Sequence, residues 1–224
     1  MPGIRSPRGE GADLAGEDDG RRAAAVFDTL GSGYEKAFAR SEAHRRSLEW
    51  LLGRLAPGST VLDVGSGTGR PTAATLVAAG HEVLGVDVSP VMVALAGQQV
   101  PGADFRCADV RDLPLEEGSF HAVCVYFSLL QMDRAEQSGL IGRLARALRP
   151  GGSLVLATVP LDVEGVDAVF MGRPVRVTSF AGEDLVEAVR AAGLTVLAEE
   201  DTLFTPDHPD AVPEPHLFLY CGRD

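Results

Sequence analysis

Residues 61–69 read Val61-Leu62-Asp63-Val64-Gly65-Ser66-Gly67-Thr68-Gly69. An apolar run carries one carboxylate near its end and is followed by three glycines at alternate positions. Glycine at Gly65, Gly67 and Gly69 lets the backbone turn sharply and lie close against a ligand. A helix is expected next, because Pro71 suits a first helical turn and Thr72 to Ala79 runs on without a breaker. Strand, glycine turn and helix together make the nucleotide cradle of a doubly wound sheet.

Two details separate this cradle from an NAD site. The NAD fingerprint is Gly-x-Gly-x-x-Gly. Here the third glycine comes one residue early, and Arg70 stands where the last NAD glycine would be. Asp63 also lies inside the strand, two residues before the first glycine. A pyrophosphate is repelled by that carboxylate, whereas an ammonium group is attracted. The stretch resembles motif I of the class I S-adenosylmethionine-dependent methyltransferases, whose ligand carries an amino acid and a sulfonium but no phosphate. The resemblance runs from around Tyr34 to the C-terminus.

Upstream of the cradle, apolar residues from Val26 to Leu55 recur at three- and four-residue spacings, with Gly31 and Gly33 dividing two helices. Residues 1–22 are rich in Gly, Pro and charge, which predicts a disordered tail before a single domain over 23–224. Downstream, strands and helices alternate. Strand 81–86 leads to Asp87, and Ser89-Pro90 opens a helix reaching Gln99. Strands 103–106 and 120–126 follow, then a helix over 134–148 stopped by Arg149-Pro150-Gly151-Gly152. Strand 153–159, helix 182–192 and strands 194–200 and 216–221 complete the chain.

The alternation predicts an α/β fold with a mainly parallel sheet covered on both faces. The last two strands are joined by a proline-rich loop without a helix, so they should pair antiparallel. The resemblance implies the complete Rossmann-like architecture: seven strands in the order 3-2-1-4-5-7-6, the last antiparallel, with N-terminal helices beside the sheet. Residues 160–180 form an insertion that reads as a hairpin around Gly172. It either walls an acceptor pocket or simply covers the sheet.

Charge narrows the partners. Net charge is −12, from 32 acidic against 20 basic residues, and such a surface repels a phosphate backbone. Nucleic acid is therefore not expected as a partner. No run of 18 apolar residues and no leader pattern is present, which predicts a cytoplasmic protein with no membrane partner, monomeric or homodimeric. Cys107, Cys124 and Cys221 are far apart and read as buried reduced thiols. No His/Cys spacing suits a metal, so none is expected.

The resemblance implies roles for particular residues. Gly65, Ser66 and Gly67 cradle the cofactor. Asp87, 22 residues after Gly65, accepts both ribose hydroxyls. Val88 packs on one face of the adenine. Asp109 meets the adenine amino group, with the amide of Val110 on the ring; Asp112 competes for that assignment. Tyr34 reaches the methionyl carboxylate, Arg40 is a weaker candidate, and Phe127 lies against the cofactor. Asp63 either meets the ammonium or holds the glycine loop by accepting backbone N–H bonds.

The donor's methyl is already activated by the sulfonium, so alignment of an acceptor in a water-poor pocket is the main task. A strong base is needed only where the acceptor must lose a proton early. The segment Tyr126 to Asp133 should face the transferred methyl, with Tyr126, Ser128 and Gln131 as acceptor-side candidates. It lacks the Asn/Asp-Pro-Pro-Tyr/Phe run that marks enzymes of amide and nucleobase nitrogens. His44, His208 and His216 are candidate bases. The expected activity is methyl transfer from S-adenosylmethionine to a small molecule, with specialised metabolism as a setting and S-adenosylhomocysteine as product. Two alternatives stay open: a protein that uses the bound sulfonium without methyl transfer, and an NAD(P)-dependent oxidoreductase. Against the oxidoreductase stands the absence of a Tyr-x-x-x-Lys pair, Lys36 being the sole lysine.

Overall fold

A computed structural model describes residue 22 and residues 24–224. The tail expected over residues 1–22 lies outside the described residues apart from Arg22, which is helical and exposed. Three N-terminal helices come first: α1 (24–30), α2 (Ser32–Phe38) and α3 (Glu42–Leu52). Two were expected. Gly31, at φ 47°, makes the predicted break, but Gly33 is helical. The further break falls before α3, where the Ser41 side chain accepts the amide of His44 and caps the new helix.

The remainder alternates: β1 (Thr60–Val64), α4 (Thr72–Ala78), β2 (Glu82–Asp87), α5 (Pro90–Gln99), β3 (Asp104–Cys107) and β4 (Phe120–Tyr126). Then come α6 (Arg134–Ala147), β5 (Leu148–Thr158), β6 (Val163–Phe170), β7 (Arg173–Ser179), α7 (Gly182–Ala191), β8 (Thr195–Phe204) and β9 (Glu214–Gly222). The large sheet has seven strands in the order β3-β2-β1-β4-β5-β9-β8. Counted along that sheet alone this is 3-2-1-4-5-7-6. The first five strands are parallel, and β9 runs antiparallel to both β5 and β8. The inserted β6–β7 hairpin pairs with itself, as expected.

Local chemistry accounts for most boundaries. Ser89 caps α5 by accepting the Met92 amide at 3.0 Å, with Pro90 in the first turn. Asp133 and Glu136 form a reciprocal capping box at the start of α6. Pro71 differs from expectation: it caps α4 from outside, after a cis Arg70–Pro71 bond. The Arg149–Gly152 turn also differs. Leu148 already pairs with Phe120, so the turn is a bulge within β5, with Gly151 at φ 75°.

Because successive strand residues face opposite ways, the sheet divides the core into two layers. Leu62, Val64, Val125 and Leu156 pack against Leu140, Ile141 and Leu144 of α6 and Leu185 of α7. Val61, Cys124, Val155 and Phe218 pack against Leu48 and Leu51 of α3 and Leu76 of α4. Asp63 shares the second face with Val61, so a carboxylate occupies a core position at the end of the central strand. Cys124 and Cys221 are buried as expected, but Cys107 is exposed, because edge strand β3 is covered on few sides. No helix among the described residues is long and apolar enough to cross a membrane.

Candidate cofactor and active site

The glycine turn is held by β2. The amides of Gly65 and Ser66 both donate to the Val86 carbonyl, at 2.8 and 3.1 Å. Gly65, Gly67 and Gly69 take φ values of 67°, 52° and 78°, a region that side chains disfavour. Close approach adds a second constraint at Gly65. A Cβ there would lie 2.3 Å from Ser128 Cβ, because the segment after β4 crosses directly beside the turn. Gly65→Ala is therefore expected to lose about 2–4 kcal/mol of stability, from strain at positive φ plus overpacking. Thermal melts check this. Adding Ser128→Gly should recover part of the loss, and no recovery would mean that the overlap is not the cause.

Asp87 ends β2 and is buried. Its Oδ2 accepts the Gly67 amide at 2.8 Å and its Oδ1 the Ser89 amide at 2.9 Å. One carboxylate thus ties the glycine turn to the cap of α5. Burial pushes its pKa up against the pull of those amides. Asp63 is more extreme. It is 2% exposed, its Oδ2 has no hydrogen-bond partner, and burial together with the Asp87 charge pushes its pKa up to about 7. Ser66 Oγ and Ser128 Oγ are likewise buried without partners.

Two connected hollows flank the turn. The first, about 780 Å³ counted to its mouth, lies at the carboxyl ends of β1, β2 and β4 and is lined by Asp87, Val88, Asp109, Val110 and Gln131. The second lies under α2 and α3 and is lined by Asp63, Ser66, His44 and Arg70. Tyr34, Gly65, Gly67, Tyr126 and Phe127 line both. All the expected cofactor residues therefore face one hollow or the other, as do Tyr126, Ser128 and Gln131. Arg40 does not join them; it is exposed between α2 and α3. Asp112 is exposed, whereas Asp109 lines the first hollow. Burial opposes ionisation of Asp109, but the Arg111 side chain and amide outweigh it and hold the carboxyl below its usual range.

Phe127 sits at φ 55°, a strained conformation for an aromatic residue. Its amide donates to the Ala157 carbonyl at 2.8 Å, and its ring lies 4.4 Å from that of His216. Tyr126 presents its ring to the hollows, but its hydroxyl pairs with buried Ser47 at 2.8 Å. Burial pushes that phenol far above its usual value, which makes it a wall and not a proton carrier. His44 is pushed down to about 3 by burial and by His216, so it is neutral, with Nε2 3.0 Å from Thr72 Oγ1. His216 is buried with Nε2 2.8 Å from Glu214 Oε1. His208 instead accepts the Asp210 amide in the loop before β9.

Sequence reasoning missed the acids that fasten the helical cover. Asp28 of α1 accepts from Ser89 Oγ at 2.5 Å, and Glu35 of α2 accepts from Thr68 Oγ1 at 2.7 Å and Gln99 Nε2 at 3.1 Å. The signal was faint: acids within an otherwise apolar helical pattern. Arg70 also lines the second hollow, whereas its place in the sequence signals only that a glycine is replaced.

A family model described as a methyltransferase domain matches residues 61–152, from β1 into the turn before the buried part of β5. An uncharacterised methyltransferase of Synechocystis sp. is 32% identical over 175 residues, 75% of this chain and 79% of that protein. The chain belongs to the class I S-adenosylmethionine-dependent methyltransferase family. A demethylmenaquinone methyltransferase of Beutenbergia cavernae is 35% identical over 147 residues, which cover 65% of this chain but only 57% of that relative's length. Among solved structures, the Burkholderia thailandensis 1,6-didemethyltoxoflavin-N1-methyltransferase with bound S-adenosylhomocysteine superposes with a TM-score of 0.68. It is 22% identical, over 99% of this chain and 94% of that one, and it establishes the shared fold.

The residues present fit the family's cofactor. A buried carboxylate oxygen without a donor, at Asp63, stands beside a turn in which Gly67 has open space where a side chain would be. Asp63 also lines the second hollow, and an ammonium bound there would meet a buried carboxylate oxygen that no protein donor satisfies.

Proposed function

We propose that this chain transfers a methyl group from S-adenosylmethionine to a small-molecule acceptor, as a cytoplasmic enzyme with specialised metabolism as its setting. The observation that carries the reading is the unpartnered Asp63 Oδ2 beside the glycine turn, a site for an ammonium and hostile to a pyrophosphate. In this reading Asp87 takes the ribose hydroxyls with the lone pairs its two backbone bonds leave over. Val88 and the Val110 amide bracket the adenine, and Asp109, oriented by Arg111, faces its amino group. Ser66 and Tyr34 line the methionyl end, and Arg70 offers a charge for its carboxylate.

When bound, the cofactor would supply a methyl activated by its positive sulfur, for transfer to the acceptor with S-adenosylhomocysteine and a proton as the other products. The chain's own part is alignment and water exclusion. Phe127 and Tyr126 wall the meeting point of the two hollows, and Ser128 and Gln131 offer the polar groups on the acceptor side. The domain boundary also belongs to this proposal: residues 23–224 form one catalytic domain.

Two measurements test it. Calorimetric titration should show S-adenosylmethionine binding at least ~100-fold tighter than NADH. Incubation with candidate acceptors should release S-adenosylhomocysteine. Equal or tighter NADH binding would overturn the cofactor assignment. Cofactor binding with no release across broad acceptor panels would favour use of the sulfonium without methyl transfer.

A further inference from the structure

A third hollow opens beside the first, between α1 and the β6–β7 hairpin, and shares Phe27 and Gln131 with it. Its walls are mainly apolar: Ala25, Val26 and Phe27 on one side, Pro174 and Val175 on the other. Arg22, Arg176 and Asp167 supply the charge at its rim.

The hollow is built around fixed points. The Thr178 amide donates to the Leu130 carbonyl at 2.8 Å, which fastens β7 to the segment carrying Gln131. Gln137 bridges the same two pieces, donating to the carbonyls of Thr178 and Met132, both at 3.0 Å. Arg134 adds a bond to the Ser179 carbonyl at 3.1 Å. The hairpin is thereby held in register with Gln131, which borders both hollows.

Arg176 is also placed, not loose. Asp167 is its partner across the hairpin, and a bulge between Val163 and Val166 puts Gly165 beneath its guanidinium. A Cβ on Gly165 would lie 2.6 Å from Arg176 Nη2, so the bare glycine lets the fork lie close to the strand. The Asp167 contact is long, at 3.9 Å, and its carboxylate is 93% exposed. Such a solvated pair is weak and readily exchanged for a bidentate carboxylate from a ligand.

We propose that this hollow is the acceptor chamber and that it takes a largely apolar molecule whose anionic group is held by Arg176, with Gln131 positioning the atom to be methylated. The proposal rests on the methyl-transfer reading for what the chamber is for, though not for what it binds. A protein with net charge −12 would repel such an anion at most of its surface, so a guanidinium at the chamber mouth serves selection.

The test uses 6-hydroxy-2-naphthoate and its uncharged counterpart, 6-hydroxy-2-naphthamide, titrated calorimetrically into the full chain with and without saturating S-adenosylhomocysteine. Naphthoate should bind about tenfold tighter than the amide, and Arg176→Gln should remove that preference. Asp167→Asn should strengthen naphthoate about two- to threefold by removing the competing carboxylate. Both positions are exposed, so both variants should keep the melting temperature and the S-adenosylhomocysteine affinity. Equal affinity for the two probes, an Arg176→Gln variant that still prefers naphthoate, or no binding of either probe would overturn the proposal. Failure of the methyltransferase reading would look different: S-adenosylhomocysteine would not bind, while the naphthoate preference and its loss in Arg176→Gln could still be read without it.

Discussion

Asp87→Ala is expected to weaken S-adenosylmethionine binding by about 10²–10⁴-fold, the loss of two charge-assisted hydrogen bonds to the ribose at roughly 1.5–3 kcal/mol each. A second effect acts through the protein. The same carboxylate accepts the amides of Gly67 and Ser89, so its removal leaves two donors unpaired and frees the glycine turn from α5. The ligand would then meet a loosened cradle as well as a missing partner. Asp87→Asn should not rescue, because both resident partners are donors and the amide nitrogen must face one of them. Calorimetry on the purified variant decides the matter. Unchanged affinity would remove Asp87 from the site and with it the present orientation of the adenosine.

Asp63→Asn should move stability and binding in opposite directions. Burial and Asp87 raise the Asp63 pKa from 3.8 to about 7. The native state therefore holds a proton that the unfolded chain releases between those values, so stability falls as pH rises through this window. Above pH 7 the ionised, unpartnered carboxylate costs the cofactor-free protein up to about 4 kcal/mol, from three units at 1.36 kcal/mol each. Asparagine carries no charge, so the variant should melt several degrees higher at pH 8, with the gap closing towards pH 4.

Binding runs the other way, because the ammonium needs the ionised form. Wild-type affinity should fall by up to about tenfold for each pH unit below 7, with proton release on binding. In Asp63→Asn, affinity should be lower at pH 8 and nearly flat with pH. Differential scanning calorimetry and titrations in two buffers of different ionisation enthalpy check both halves. A variant that melts lower at pH 8, or that keeps a pH-dependent affinity, would show that Asp63 holds the loop instead of meeting the ligand.

These effects trace to features that differ in how openly the chain displays them. Gly65, Gly67 and Gly69 are legible because a turn with positive φ is a local requirement, written in consecutive residues. The same holds for the Ser89-Pro90 cap and for the hairpin at 160–180. Expectation failed where a local signal met a distant neighbour. Gly33 reads as a breaker but sits inside α2, whose partners, Thr68 and Gln99, reach Glu35 from the cradle and α5. The bulge at Arg149–Gly152 depends on Phe120 pairing with Leu148, which no periodicity of α6 announces.

Composition, period and turn chemistry thus determined by themselves the alternating sheet, the glycine cradle and the acids at the ends of β1 and β2, since each depends on residues adjacent in the chain. The tertiary structure alone decided that Ser128 crowds Gly65, that Asp63 Oδ2 has no donor, that Glu136 of α6 pairs with Arg111, and that Thr178 binds the hairpin beside Gln131. Those relations join segments brought together only by strand order and packing, and side-chain burial and pairing across such distances have no trace in local spacing.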